Sequence, residues 1–276
     1  MRYAILSDIH GNLPALDAVL ADLASQGADE LIYLGDAVGY GPDSNAVIAL
    51  LRKRVSHLHC RIDGHAVERQ IWLPGNHEWR LLGRAERIAF NDEALVTLDR
   101  TSADLHQDSR ALLADLPTKI EITLDGAIHA TLVHAAPSEP VGIRNYIDHE
   151  IHAADEAKLF HGQICLVGHT HYPRIFRETN GHIGQHRVWE KTDAWEGIYS
   201  FAHERMILNP GSVGQPRDGD PRAAYALLDT TAHSFTVRRV AYDIGAAQAR
   251  MRAWLGNVLS NLDAPDGLAG RLKLGI

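Results

Sequence analysis

The sequence predicts an α/β fold in which one domain is built on a mixed sheet or a pair of sheets. Three observations support this prediction: short apolar runs recur between turns, helical periodicities alternate with the first of them, and no repeat or linker interrupts the chain. The 276 residues are 45% hydrophobic, which allows a large core to be buried. We therefore expect one domain over residues 1–276, with a C-terminal helix from about residue 243.

The N-terminal elements form a strand–helix–strand pattern. Residues 3–6 are an apolar run that predicts a buried strand, and residues 31–34 predict the next one. Between them, Asn12 is a helix N-cap, leucines follow at helical spacing, and Gly27 ends the helix. This unit has the length of a parallel crossover.

The middle of the chain is predicted to be mainly helical. Asp43 caps a second helix, residues 71–73 form a third short strand, and residues 79–116 are helical until Pro117. The path of residues 57–72 stays open at this stage.

The C-terminal half is predicted to be rich in strands. Residues 120–124 and 128–133 form a hairpin around the turn Asp125-Gly126. Further strands are expected at residues 164–167, 174–177, 206–208, 223–228 and 234–240.

The composition restricts the class of partner. The formal net charge of −8 disfavours duplex nucleic acid, which needs clustered Lys and Arg. Small phosphorylated substrates remain compatible, because bound cations would reverse the local charge. Cys60 and Cys165 lack metal or disulfide spacing, and neither a signal peptide nor a membrane-spanning run is recognisable. We expect a cytoplasmic protein without a membrane partner, and the oligomeric state stays open.

Five short polar motifs follow predicted strands. Because the carboxyl ends of strands in an α/β sheet converge on one crevice, their side chains are expected to meet. The donor atoms are carboxylate, amide and imidazole, a mixture that suits manganese, iron, zinc, nickel or cobalt and is too rich in nitrogen for calcium. The seven predicted ligands are Asp8, His10, Asp36, Asn76, His134, His169 and His171.

In chain order these motifs read D-x-H, G-D, G-N-H-E, H and G-H-x-H, and they resemble the signature of the calcineurin-like metallophosphoesterase superfamily. The similarity runs over about residues 2–171, and NPGSVGQPRD at residues 209–218 extends it. Within the superfamily the chain looks most like the bacterial phosphatases and phosphodiesterases related to diadenosine tetraphosphatase. The resemblance implies an αββα sandwich of mixed sheets flanked by helices.

The resemblance also divides the seven side chains between two divalent or trivalent metal ions, with manganese or an iron–manganese pair favoured. It implies that one ion is bound by Asp8, His10 and His171, that the other is bound by Asn76, His134 and His169, and that Asp36 bridges them. A hydroxide held between two such ions would attack phosphorus.

Two neighbours of Asn76 have roles outside this ligand set. His77 is predicted to protonate the leaving oxygen or stabilise the transition state, and the alternative is a hydrogen bond that supports Asp36 or Asn76. Glu78 either orients an imidazole or lies solvated at the start of a helix.

Several residues are candidates for contact with the substrate or for surface positions. The polar candidates are Arg144, Asn145, Tyr146 and Arg217, which could bind phosphate or stack a base. The aromatic residues Trp189, Trp195 and Tyr199 either wall a base-binding cleft or pack in the second sheet.

The leading hypothesis is an enzyme that hydrolyses small phosphomonoesters or phosphodiesters, nucleotides among them. One alternative is a protein Ser/Thr phosphatase. The other is a non-catalytic scaffold of the same fold, which the presence of His77 and all seven ligand positions disfavours.

Overall fold

Two mixed β-sheets face each other and carry helices on their outer sides in the computed structural model, which describes residues 1–142, 145–180, 187–256, 258 and 267–276. The expected αββα sandwich is thus confirmed. The helices are α1 (Leu13–Gln26), α2 (Ser44–Arg54), α3 (Asn76–Leu81), α4 (Asp92–Asp104), α5 (Gln107–Ala114), α6 (Glu150–Glu156), α7 (Ile244–Leu255) and α8 (Leu268–Leu274).

The first sheet has the strand order β10-β13-β12-β1-β2. β1 and β2 are parallel, with Tyr3 opposite Glu30, and the other neighbours are antiparallel. Its strands are β1 (Arg2–Leu6), β2 (Glu30–Tyr33), β10 (Gly197–Ser200), β12 (Ala223–Asp229) and β13 (Ser234–Val240).

The second sheet has the order β4-β3-β5-β6-β7-β11-β8-β9. Its centre is parallel, since β7 pairs in parallel with both β6 and β11. Its strands are β3 (His57–Ile62), β4 (His65–Gln70), β5 (Lys119–Leu124), β6 (Ile128–Val133), β7 (Ile164–Leu166), β8 (Pro173–Asn180), β9 (Arg187–Asp193) and β11 (Met206–Pro210).

Apolar side chains fill the space between the sheets and the space under each helical layer. Ile5 and Ile32 of the first sheet share a buried cluster with Leu132 and Leu166 of the second. The opposite face of the first sheet packs under α1, α2, α4 and α5, and the second sheet packs under α6. Because both sheets are buried on two sides at their centres, the polar loops can lie only at the strand ends.

The N-terminal prediction is borne out in detail. The Asn12 side chain caps α1 by accepting a hydrogen bond from the Ala15 amide at 3.2 Å, and Gly27 ends the helix in the left-handed region. Asp43 stands at the N-cap of α2, but its carboxylate makes no capping bond and pairs with Arg250 of α7 instead.

Residues 57–72 form a hairpin that the sequence interpretation left open. β3 and β4 are antiparallel, and the turn between them is Asp63-Gly64, with both residues at positive φ. The same dipeptide chemistry marked the predicted hairpin at Asp125-Gly126, so the signal was present at both places. The expected strand at residues 71–73 is reduced to a single bridge between Trp72 and Tyr33.

The helical stretch 79–116 is divided, because α3 ends at Leu81 and a short 3₁₀ turn at Arg87–Ala89 precedes α4. The C-terminal helix is present as α7, capped by Asp243, and α8 is an addition that the sequence interpretation did not foresee. No helix in the described part of the chain is long and apolar enough to cross a membrane.

Candidate functional site

The polar motifs are positioned by loops that run beside each other at the carboxyl ends of neighbouring strands. After β1 and β2, the amides of Asp8 and His10 donate to the carbonyls of Gly35 and Asp36, each at 2.9 Å. After β6 and β7, the amide of Gly168 donates to the carbonyl of His134 at 2.7 Å. The pairing of the strands therefore continues into the loops and fixes which side chains meet.

Most of the predicted ligands have a left-handed backbone. Their φ angles lie between 49° and 63°, a region that ordinary residues avoid and that often marks a functional site. In this conformation the chain turns sharply off the strand and sends consecutive motif residues toward the same point. The five residues are Asp8, His10, Asp36, His169 and His171.

One half of the site is formed by two imidazoles that face each other. The Nε2 atoms of His10 and His171 are 3.1 Å apart. The same two atoms lie 4.0 and 3.3 Å from Oδ1 of Asp8. All three side chains are buried.

The other half is built around Asp36. Its Oδ2 lies 3.4 Å from Nε2 of His134 and 3.7 Å from Nε2 of His10, so it stands between the two halves. Asn76 and His169 complete the group. Oδ1 of Asn76 and Nε2 of His169 are buried, and neither atom has a hydrogen-bond partner among the described residues.

Backbone carbonyls fix the tautomers of three of these histidines. The Nδ1 of His10 donates to the carbonyl of Val38 at 3.0 Å, and that of His134 to Leu34 at 2.9 Å. His171 Nδ1 donates to the carbonyl of Gln215 at 2.6 Å. Since a carbonyl oxygen only accepts, each Nδ1 carries a proton, and in the neutral ring each Nε2 presents a lone pair to the site.

The donor set fits metal ions. Two lone pairs that face each other at 3.1 Å repel unless an electrophile lies against both, and carbonyl-oriented imidazoles are the usual form of a metal-binding histidine. Buried polar atoms without partners within the described residues, such as Asp8 Oδ1 and His134 Nε2, are costly unless something else binds them. Three groups of the site lie close enough for one ion each: Asp8, His10 and His171; Asp36, His134 and His169; and His10, Asp36 and His77.

The electrostatics of the site oppose protonation of most of its histidines. Burial lowers the pKa of His10 and of His171, and burial together with His134 lowers the pKa of His169 to about 3. His134 differs: burial lowers its pKa, but the carboxylates of Asp36 and Asp8 outweigh this and raise it to about 9.

The two carboxylates are held in the charged form. Burial alone would raise the pKa of Asp8, but His171 and His134 outweigh it and hold the pKa below the usual range. The pKa of Asp36 is likewise lowered against burial, by His134 and His77. Charged oxygen donors beside neutral imidazole lone pairs are the state in which metal ligands bind.

The segment at residues 209–215 joins the motif loops of both sheets. The Asn209 amide group donates to the carbonyl of Gly168 at 2.6 Å. The Ser212 hydroxyl donates to the carbonyl of Asp8 at 2.7 Å, and Gln215 supplies the carbonyl that orients His171. The sequence of this segment carries the family resemblance but predicts no role for these residues.

Glu78 has a different place from either predicted one. Its buried carboxylate accepts hydrogen bonds from the amides of Gly75, Asp36, Ala37 and Val38, at 2.7, 3.0, 2.8 and 3.1 Å. Burial and the Asp36 charge raise the pKa of Glu78 to about 8, and amides including those of Gly75 and Val38 oppose the rise. Glu78 therefore ties the two motif loops together and neither orients an imidazole nor lies in solvent.

His77 is buried at the rim of the metal-ligand group. Its ring packs against His10, Tyr40 and Phe90 with centroid distances of 4.6, 4.8 and 5.7 Å. Burial lowers its pKa to about 4, and Nδ1 has no hydrogen-bond partner in the described part of the structure. Its backbone amide donates to Oδ1 of Asp36 at 2.9 Å, so the main chain of His77 binds Asp36 while its ring packs against other residues.

Gly39 leaves the space that His77 occupies. A Cβ at Gly39 would lie 2.0 Å from Nδ1 of His77, and φ of Gly39 is +86°. We expect Gly39→Ala to displace the His77 ring and to lower both turnover and the free energy of unfolding, the latter by about 1–3 kcal/mol for the strained backbone alone. Steady-state kinetics and denaturant unfolding measure the two effects.

The matched control for this variant is Gly64→Ala in the turn between β3 and β4. Gly64 has φ +79° and no atom within 4 Å of an added Cβ, so it carries the backbone cost without the contact. Equal turnover in Gly39→Ala and Gly64→Ala would show that the His77 ring tolerates displacement.

A cavity of about 300 Å³ opens over the metal-ligand group and receives two of the four predicted substrate residues. Arg217 lines it, and Tyr146 lines it while stacking on His169 at 4.2 Å between ring centroids. Asn145 does not line it, because its side chain donates to the Ser138 hydroxyl at 3.0 Å. Arg144 lies outside the described residues.

The predicted aromatic residues do not line this cavity where their side chains are described. Trp195 is exposed, and Tyr199 packs against the cluster between the sheets. The side chain of Trp189 lies outside the described part of the structure. Besides Tyr146, the aromatic walls are Tyr40 and Phe90, two residues that no motif singled out.

The sequence model of the calcineurin-like phosphoesterase superfamily domain matches residues 1–233 of the chain. A similar curated protein is the uncharacterized protein MJ0912 of Methanocaldococcus jannaschii. It is 32% identical over 266 residues, which are 93% of this chain and 96% of that protein.

Two solved structures cover nearly the whole chain. A metallophosphoesterase from Sphaerobacter thermophilus superposes with a TM-score of 0.77 at 33% identity, covering 100% of this chain and 99% of that one. The hypothetical protein PH1004 from Pyrococcus horikoshii OT3 has a TM-score of 0.67 at 20% identity, with 95% and 97% covered, and shows a similarity of fold.

Proposed function

Because the chain belongs to the calcineurin-like phosphoesterase superfamily and is thus a metal-dependent phosphoric ester hydrolase, we propose that its buried polar centre binds two metal ions and hydrolyses small phosphate esters. The observation that carries the proposal is the convergence of the His10 and His171 lone pairs, 3.1 Å apart, on the Asp8 carboxylate.

We divide the seven predicted ligands between two ions, as the resemblance implies. Asp8, His10 and His171 would hold one ion, and Asn76, His134 and His169 the other, with Asp36 between them. When bound, such ions acidify water and neutralise charge on phosphoryl oxygens. The donor set suits manganese, iron or zinc.

The protein's own residues bind and orient the substrate. Arg217 is half-buried, and within the described residues it donates to the neutral amide oxygen of Gln215 at 3.0 Å, so its charge is available to a phosphate. That charge reaches the centre, since it contributes to the lowered pKa values of His77 and His171. We assign Arg217 to the scissile phosphate, Tyr146 to the wall of the cavity and His77 to the leaving oxygen.

The size of the cavity favours a small ester over a phosphoprotein. About 300 Å³ is at the low end of small-molecule sites, and Tyr40, Phe90 and Tyr146 supply ring faces on which a base could stack. These features support nucleotides as candidate substrates. A scaffold role is disfavoured, because a scaffold needs no aligned imidazoles.

We also propose that the chain acts as one domain in a reducing compartment such as the cytoplasm. Arg250 of α7 pairs with Asp43 at the start of α2, which supports one packed unit. Cys60 and Cys165 are both buried free thiols, as a reducing compartment allows.

The function is tested with a panel of aryl and alkyl phosphomonoesters and phosphodiesters in the presence of manganese. We expect hydrolysis of at least one class by the wild-type protein. In Asp36→Asn the charge shared by both halves of the site is lost. Metal affinity should therefore fall by at least about 10–100-fold, because mutation of residues that only orient metal ligands already causes a loss of that size. Turnover should fall with it.

The matched control is Asp155→Asn. Asp155 is an exposed carboxylate that pairs with Lys158 on the surface of α6, so its removal should change neither metal content nor rate. Normal metal binding and turnover in Asp36→Asn would reject the bridging role, and a wild-type protein inert toward the whole panel would reject the function.

A further inference from the structure

The cavity over the metal-ligand group contains a second arginine, Arg271, that no motif predicted. It lies on α8, beyond residues 1–233 that the family model matches. The same cavity is lined by His77, Arg217 and Tyr146. The C-terminal helix thus adds a cation to a site whose predicted metal ligands all lie within residues 1–233.

The guanidinium of Arg271 has N–H donors that no described residue accepts from. Its Nη2 donates to the carboxylate of Glu93 in the first turn of α4. Its Nε is buried and has no partner within the described residues. A guanidinium has five N–H donors in a fork that matches phosphate oxygens, so the pair with Glu93 leaves donors for a ligand.

Arg271 exceeds what one phosphate requires. The scissile phosphate is served by the proposed metal ions and by Arg217, which lines the same cavity as His77 and His171. A second guanidinium in a cavity of this size is unfavourable without a further anion, because like charges repel and desolvation is costly. Glu93 supplies one such anion to Arg271, and the N–H donors that this pair leaves unused, Nε among them, remain available to a phosphate.

We propose that Arg271 binds a second phosphate group of the substrate, which makes the substrate class phosphate esters that carry two phosphates. This inference rests on the proposed function, since it names the substrate class of the same site. Arg271 acts as a specificity-determining residue, and its pair with Glu93 ties α8 to α4.

The experiment compares ligands that differ by one phosphate. Adenosine 5′-monophosphate, adenosine 5′-diphosphate and adenosine 3′,5′-bisphosphate are titrated calorimetrically into the manganese-loaded protein, with phosphate release checked in the same samples. We expect at least one two-phosphate ligand to bind the wild-type protein more tightly than the monophosphate. Arg271→Ala should lower the affinity for that ligand by about 10–100-fold, which corresponds to the loss of one charged hydrogen bond. It should lower the affinity for the monophosphate by less than about threefold.

Two variants separate binding from a structural role. Arg250→Ala removes another arginine that ties the C-terminal helices to the body of the protein, through Asp43, and Arg250 does not line the cavity. It should leave the preference for two phosphates intact. Glu93→Gln removes the ion pair but keeps the arginine, so it should also keep the preference.

The outcomes decide between the explanations. If Glu93→Gln loses the preference as Arg271→Ala does, Arg271 is a structural tie and the inference is overturned. If neither two-phosphate ligand binds the wild-type protein more tightly than the monophosphate does, the inference is overturned directly. A preference that depends on Arg271 in a protein without hydrolytic activity would support the second-phosphate site and reject the proposed function.

Discussion

Removal of metal is expected to abolish hydrolysis of every substrate that the protein accepts, and manganese should restore it. The physical reason is that no described side chain in the cavity combines the charge and the proton affinity needed to activate water at neutral pH. His10, His169 and His171 present neutral lone pairs, and the Asp8 and Asp36 carboxylates are poor bases. The measurement is the initial rate before and after chelation, with elemental analysis of the same samples.

The stripped protein should also lose stability, because the repulsion among converging lone pairs and carboxylates returns when the ions leave. Thermal unfolding with and without added manganese measures this coupling of metal binding to folding. Turnover in protein shown to be free of metal would contradict the two-metal proposal, whatever the change in stability.

His77→Ala is expected to lower turnover by about 10²–10⁴-fold, the usual contribution of a positioned acid or base. The loss should be largest for benzyl phosphate, whose leaving oxygen needs a proton, and smaller for 4-nitrophenyl phosphate, whose leaving group departs as an anion. The metal content of His77→Ala should be unchanged. His169→Ala should instead lose metal, and its turnover should fall equally for both substrates.

Two other results would reassign His77. Equal losses for both leaving groups, with metals intact, would make it a hydrogen-bond donor that stabilises charge, a role consistent with the neutral ring that burial favours. Loss of metal would make it a ligand, since His77 also lies within reach of a common ion with His10 and Asp36.

The agreement between sequence and structure is greatest where local chemistry decides the outcome. Asn12 caps α1 because its side chain reaches an amide three residues away, and Asp125-Gly126 turns a hairpin because both residues tolerate positive φ. The superfamily was recognisable from the same kind of information. Its narrower placement among diadenosine tetraphosphatase relatives stays a prediction.

The convergence of the motifs was predictable for a further reason. The ends of adjacent parallel strands share one edge, so the loops after β1 and β2 meet, and so do the loops after β6 and β7. The packing of the two sheets then brings these pairs of loops together. The left-handed backbone at Asp8 and His171 then sharpens the turn, which Asp and His tolerate better than most residues.

The sequence by itself therefore determined the fold class, the first strand–helix–strand unit and the set of side chains that meet at the strand ends. Only the tertiary structure decided what surrounds that set. Glu78 binds the loop after β2, Gln215 orients His171, and Arg271 enters the cavity from α8. Each of these contacts joins residues far apart in the chain without a periodic or turn signal, because it depends on how sheets and helices pack and not on the conformational preference of any short segment.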